Sequence, residues 1–441
     1  MNYFDYSLEK LNEYEQVRDC LSRKKSCQVT GCGDSQLAHF INGLSNGYKQ
    51  KVIVTFSAIK AKELYDDMKG FTDDVVMYPA KDLIFFSADV HGSYILQQRL
   101  EFIQKVVENK PFTVIVTVDA FLDKIQPLEK IKDNYIEIGE GSIVEMDALK
   151  TKLAVMGYQA VTQIDSPGQF AIRGSILDIY TLTDETPYRI DFWDDEVDII
   201  KSFDVESQRS IENIESVKIY PASEYFLDKK TIEEGIAKIK KELEKSEKKF
   251  REEFNTEEAN NLKNTVGEFL TNMDINPYSV AIDSYVNYFC ENLVSLMDYF
   301  DEPIFFIDEP ARVEEQLRVV ETEFKESMSH RLLKGYVLSG QTDILWDKNY
   351  ILNRINDQQK VLFTTIAQKV KSFNVEEFVD VDARNVSPYN SQFEMLVEDL
   401  KKYKKQKYSV LLVTSSATRG KRLAQDLRDF QISAFFESDS E

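Results

Sequence analysis

At 441 residues the chain is too long for a single core and suits two to four domains. Its 43% hydrophobic and 29% charged residues describe an ordinary soluble globular protein. With 54 basic against 76 acidic side chains the formal charge is −22, a field that repels phosphate backbones and argues against nucleic-acid binding by the surface as a whole, leaving only a local basic patch open to that role. The four cysteines (Cys20, Cys27, Cys32 and Cys290) and three histidines lack metal-ligand spacing, so no metal site is expected and the thiols read as reduced and mostly buried. No apolar run is long enough to span a membrane, and MNYFDYSLEK lacks a signal pattern. A cytoplasmic location without a membrane partner is therefore expected.

In chain order, residues 1–125 alternate helical and buried-strand patterns. A polar amphipathic start leads to SCQVTGCG, a short strand and turn, and then to SQLAHFINGL, a helix. KVIVTFS, DDVVMYPA and FTVIVTVDA read as strands, with helices over AIKAKELYDDMKGF and QQRLEFIQKVVEN between them. This alternation implies a mainly parallel, doubly wound sheet. From about residue 126 to 219 the pattern changes to period two, interrupted by one helix, MDALKTKLAVMGY. A small antiparallel α+β insertion is expected there. Residues 220–379 turn helical and highly charged, the run 236–255 reading as a solvated face, and then return to a strand and helix in PIFFIDEPARVEEQL. That strand could close the first sheet, so the β-rich unit would be an insert within a split domain. Over 380–441, SVLLVTSS and ATRGKRLAQDLRDF read as one more strand, turn and helix.

The turn after the first strand invites comparison with a phosphate-binding loop, G-x-x-x-x-G-K-[ST], whose backbone N–H groups, Lys and hydroxyl hold phosphates and Mg²⁺. Here the window runs from Gln28 to Ser35. Gly31, Gly33 and Ser35 are present, but Gln28 stands at the first Gly and Asp34 at the Lys. A unit charge about 4 Å from a phosphate contributes on the order of 4 kcal/mol at an effective dielectric near 20, so replacing attraction by repulsion shifts binding by up to roughly 8 kcal/mol. Millimolar affinity amounts to only about 4 kcal/mol. The plainer alternative is a Gly turn before a helix. Asp308 and Glu309, ending the apolar strand Phe305–Ile307, have the form of a metal-holding and water-orienting pair, or alternatively of acids capping the helix that starts at Pro310. Both fragments at strand ends of one α/β pattern favour an inactive ATPase-like domain with no catalytic residue and no cofactor of its own.

In the middle segment, strand alternation places Tyr188, Ile190 and Phe192 on one face and Arg189, Asp191 and Trp193 on the other. Phe170 and Ile172 similarly leave Arg173 outward. An outward Trp beside arginines has hot-spot composition; the alternative is a Trp capped by Arg stacking within the domain.

On these residues the chain resembles the N-terminal UvrB-like module of the bacterial transcription-repair coupling factor family, Mfd, with UvrB as a relative outside it. TGCGDS stands where UvrB-type proteins have a TGTGKT-like loop, FIDEP resembles a degenerate Asp-Glu (Walker B) motif, and PGQFAIRGSILDIYTLTDETPYRIDFWDDEVDIIKSFDVESQRS is similar to the second domain shared by Mfd and UvrB. The stretch MYPAKDLIFFSADVHGSY is too short for the DNA-gripping hairpin of UvrB. The resemblance implies a degenerate RecA/helicase-like parallel-sheet domain (1–125 and 220–379) split by a small α+β UvrB second-domain-like insert (126–219), then a C-terminal α/β helicase-like remnant (380–441). It implies a docking surface for UvrA made by Arg173, Arg189 and Trp193, with two further arginine positions of UvrB occupied by Ala160 and Ala171. It also implies that this is an N-terminal fragment. RNA polymerase, DNA, ATP and Mg²⁺ would then belong to missing domains of an ATP-driven translocase, with an intramolecular contact masking the docking face. The rival is a UvrB- or helicase-type DNA-processing ATPase, which needs a Lys at position 34 and a basic track.

Overall fold

A computed structural model of the chain describes residues 7–33, 35–81, 92–132, 134–384, 386, 388–389, 392–414 and 416–437. It divides into two compact units, Met1–Ala383 and Arg384–Glu441.

The first unit is built on three sheets. In chain order its strands are β1 (Cys27–Thr30), β2 (Gln50–Thr55), β3 (Val75–Tyr78), β4 (Phe112–Thr117), β5 (Ile136–Gly139), β6 (Gln159–Ala160), β7 (Gln169–Arg173), β8 (Ile176–Tyr180), β9 (Tyr188–Trp193), β10 (Glu196–Phe203), β11 (Ser210–Ile214), β12 (Ser216–Ile219), β13 (Ile304–Asp308), β14 (Gln359–Thr364) and β15 (Glu377–Asp380). Seven of them form a sheet in the order β15-β1-β14-β13-β2-β4-β3, parallel throughout. The sheet thus draws strands from both sides of the middle segment. Its strands are continuous apolar runs because both faces are covered, as parallel sheets require. Successive residues alternate between two cores. Ile53, Ile115, Phe306 and Phe363 face the helices Ser35–Leu44 and Ala58–Lys69 through Leu37, Phe40, Ile41 and Leu64. Val54, Val114, Phe305 and Leu362 face the opposite layer, where Phe102, Val313, Leu317 and Ile351 sit. The mixed α/β architecture and parallel sheet are consistent with a RecA-like fold.

The middle segment holds a six-stranded sheet, β11-β10-β9-β8-β7-β6, and a two-stranded one, β12-β5. All pairs are antiparallel except β6 with β7. One face of the larger sheet, through Phe170, Leu177, Ile190, Phe192 and Ile200, packs with Leu149 and Leu153 of the helix Met146–Val155. The opposite face faces water around the small cluster of Ile164, Ala171 and Phe203.

The helices Lys229–Glu252 and Thr256–Ile275 follow, packing through Ile232, Ile239, Leu262 and Val266. Over 229–253 the outer charges form exposed i,i+4 pairs such as Lys248–Glu252 and Arg251–Glu247, which contribute only tenths of a kcal/mol each. The helix Pro310–Leu333 joins two cores, with Val313 and Leu317 against the sheet and Phe324 and Met328 in the helical cluster.

A buried ionic joint ties these parts together. Fully buried Arg99 donates from Nε to Glu224 (2.7 Å) and from Nη1 to Asp123 (2.9 Å) and the Pro79 carbonyl (2.8 Å). Lys81 bridges Glu224 and Asp283, both at 2.5 Å. Burial pushes Asp123 up to about 6 against the pull of Arg99. At Glu224 burial acts the same way, but Arg99 and Lys81 outweigh it and hold the carboxyl below its ordinary range. The chain leaving β12 is therefore pinned to the helix Gly92–Glu108 and to the helical segment.

The second unit differs from expectation. It contains the helices Phe393–Lys405 and Ala417–Asp429, joined by Val397, Leu400, Leu427 and Ile432. No strand occurs among its described residues. SVLLVTSS, read as a strand, runs through residues 409–416, and Val410, Leu411, Leu412 and Val413 are exposed instead of paired. An apolar β-branched run makes a strand only where a neighbouring strand accepts its backbone hydrogen bonds, and this unit presents none among its described residues.

Candidate functional site

The Gly-rich loop begins where β1 ends. Gly31 has φ +89°, and a Cβ there would overlap the carbonyl oxygen of Val381, so the position requires Gly. Its N–H donates to the Thr364 carbonyl at 2.8 Å. Gln28 is buried, with Nε2 donating to the Gln368 carbonyl at 2.9 Å. Cys32 is buried and its thiol is pushed up to about 11 by burial. Asp34 lies outside the described residues, as does the side chain of Ser35.

The acidic pair sits beside this loop, because β14 alone separates β1 from β13. Asp308 is 6% exposed and accepts a hydrogen bond from Thr55 Oγ1 at 3.3 Å. Burial pushes its carboxyl up to about 6, against the nearby Lys60. Glu309 has a left-handed backbone (φ 48°). Its Oε1 accepts from Thr365 N at 2.8 Å and from Thr365 Oγ1 at 2.6 Å. The same Oγ1 lies 3.7 Å from where a Cβ on Gly33 would stand. Loop and acidic pair therefore meet at Thr365, a residue that sequence reasoning missed. Among the described residues no group of three His, Cys, Asp or Glu side chains could hold a metal ion.

A metal-holding acid must be ionised, and burial makes ionising Asp308 more costly. Glu309, at the position of a water-orienting acid, is held through Oε1 by Thr365.

On the open face of the six-stranded sheet, the structure brings Arg173 and Arg189 together through Asp178. The registers Ala171↔Asp178 and Asp178↔Arg189 place these residues in one cross-strand row. Asp178 is fully buried. Arg189 Nε reaches its Oδ1 at 2.7 Å and Nη2 its Oδ2 at 2.9 Å, while Arg173 Nη2 donates to Oδ2. Two guanidinium charges less one carboxylate leave a single positive charge. Bidentate geometry fixes the plane of Arg189, which also stacks over Phe203 at 4.4 Å. Trp193 is 80% exposed. The arginine stacking weighed for Trp193 is thus taken up by Phe203, and the indole is left to solvent. Ala160 is exposed and Ala171 buried. Asp178 was missed by sequence reasoning, since its role follows only from the strand register.

Residues 136–225 match the family model of the UvrB interaction domain. This span runs from the first residue of β5 to Tyr225, just past the Glu224 joint. The middle of the chain is thus similar to the UvrB interaction domain. Over nearly its whole length the chain is also similar to transcription-repair-coupling factors. It is 28% identical to that of Bacillus subtilis (strain 168) over 417 residues, covering 92% of this chain and 34% of the relative. It is 25% identical to that of Staphylococcus epidermidis (strain ATCC 35984) over 425 residues, covering 96% and 36%. It is 25% identical to that of Staphylococcus haemolyticus (strain JCSC1435) over 408 residues, covering 92% and 34%. The chain thus spans about a third of the length of these relatives. Within the matched residues, Arg173, Asp178, Arg189 and Trp193 share the sheet face opposite the one that packs on the helix Met146–Val155. No helix among the described residues is long and apolar enough to cross a membrane.

Proposed function

We propose that this chain is a non-catalytic recruitment module of a transcription-repair coupling factor, which docks UvrA so that nucleotide excision repair is called to RNA polymerase stalled at a DNA lesion. The observation carrying this reading is the sheet face that holds exposed Arg173 and Trp193 beside half-buried Arg189, in a segment similar to the UvrB interaction domain and within a chain similar to coupling factors over more than nine-tenths of its length. The seven-stranded sheet, with 1–125 and 220–379 as halves of one degenerate domain around the insert 126–219, serves as its mount. Residues 380–441 form a separate piece. ATP hydrolysis, DNA translocation and polymerase contact belong to other parts of the longer protein, with which the docking face makes a masking contact. The whole acts in the cytoplasm.

The docking chemistry follows from the side chains. Asp178 holds the two arginines before the partner arrives, so little side-chain entropy remains to be lost on binding. Trp193 supplies the aromatic anchor. The net single charge of the triad steers an acidic partner modestly. The test is a pull-down of purified UvrA by the wild-type chain and by Arg173→Glu, Arg189→Glu and Trp193→Ala. Capture by wild type and loss in the variants is expected. Equal capture by all four would remove the surface assignment.

A further inference from the structure

The docking face continues past Trp193. Val144 N–H donates to the Asp195 carbonyl (2.8 Å), Val197 N–H to the Ser142 carbonyl (2.9 Å) and Gly141 N–H to the Val197 carbonyl (2.8 Å). Residues 141–144 thereby run along the free end of β10, and Ile143 forms an antiparallel bridge with Glu196. Glu196 is itself the register partner of Trp193. Directly opposed residues on antiparallel strands project on the same face, about 5 Å apart. Trp193, Glu196 and Ile143 therefore form one row across three backbone segments.

Ile143 is 83% exposed, as open to water as Trp193. A single exposed apolar residue needs no explanation. Two in one row, flanking an exposed carboxylate and continuous with an arginine pair, form a patterned surface. Arg189 and Trp193 are four residues apart on β9, roughly 13 Å at about 3.3 Å per residue, so the face is cationic at one end and apolar around a carboxylate at the other.

We propose that Ile143 and Glu196 complete the UvrA-docking surface. In this arrangement Trp193 and Ile143 lie in an apolar groove of UvrA, a Lys or Arg of UvrA meets Glu196, and UvrA carboxylates meet Arg173 and Arg189. The inference rests on the function proposed above. The cation is required because a carboxylate buried between two apolar contacts without a counter-charge opposes binding. Glu196 thereby becomes a specificity residue, rejecting partner surfaces that lack the cation.

The test is calorimetric titration of the full 441-residue chain with purified UvrA. Ile143→Ala should weaken binding about tenfold, the effect of losing one buried interface anchor, and Glu196→Lys should weaken it at least as much. The Trp193→Ala/Ile143→Ala double variant should lose less than the product of the two single losses, because the side chains share one groove. Ile59→Ala, equally exposed but on the helix Ala58–Lys69, should bind like wild type, and thermal melts should match throughout. If Trp193→Ala weakens binding while Ile143→Ala and Glu196→Lys bind like wild type, the row is overturned and the proposed function stands. If the wild-type chain does not bind UvrA, both fall. If light scattering shows wild-type dimers that Ile143→Ala dissociates, the groove belongs to a second copy of this chain and the proposal is overturned.

Discussion

Replacing Asp308 by Asn isolates the effect of burying a carboxyl at the end of β13. The carboxyl is 6% exposed, and its one hydrogen bond, from Thr55 Oγ1, survives in the amide. Burial moves its pKa from 3.8 up to about 6, a rise of about two units that corresponds to about 3 kcal/mol at about 1.4 kcal/mol per unit. The unfolded chain holds this proton only below about pH 4, the folded chain below about pH 6. At pH 7 the folded state therefore carries an ionisation penalty that disappears as the pH falls through 6 towards 4. Asn carries no such penalty. Asp308→Asn is expected to stabilise the chain by up to about 3 kcal/mol at pH 7 and by less than about 1 kcal/mol at pH 4. Urea unfolding of both proteins at the two pH values measures this, because groups common to both cancel in the difference. A variant that is less stable at pH 7, or a difference independent of pH, would refute the reasoning and show a cationic neighbourhood suited to an ionised, metal-holding acid.

Two further outcomes follow from the same geometry. Calorimetry with Mg²⁺–ATP should show no binding at about 1 mM nucleotide, because charge reversal at position 34 outweighs the free energy of millimolar binding. Saturable heat would support the ATPase rival. Arg99→Met should destabilise the chain by about 3–5 kcal/mol, since it leaves Asp123 buried without its paired cation and Glu224 with Lys81 alone. A thermal melt within a degree or two of wild type would show that water replaces the guanidinium.

The parallel sheet was legible because β2, β4 and β13 are apolar runs set between turn and helix signals, and because parallel strands buried on both faces must be apolar. β14 and β15 carry weaker signals: a short apolar run in Val361–Phe363 and a single buried Val379 in β15 do not separate strand from helix by periodicity. SVLLVTSS failed for the opposite reason, a strong local pattern without a partner. Arg173, Arg189 and Trp193 could be placed on one face from alternation alone. Asp178 could not be assigned as their shared counter-ion, because that depends on β8 facing β9 in a particular register. Ile143 could not be placed beside Glu196 either, because the two are 53 residues apart along the chain and meet only through a pairing that no local pattern gives. The Arg99 joint likewise gathers residues spread from Lys81 to Asp283, which no local pattern can link.

If the middle of this chain docks UvrA as proposed, the face ordered by Asp178 makes the contact. Titrating purified UvrA into the wild-type chain and into Arg189→Glu, at two salt concentrations, tests it most directly. Saturable binding by wild type is expected, weakening modestly with salt because one net charge does the steering, with a loss of at least tenfold in the variant, as when a bidentate pair on a buried carboxylate is broken. Wild-type binding left unchanged by Arg189→Glu, or no binding at all, would contradict it.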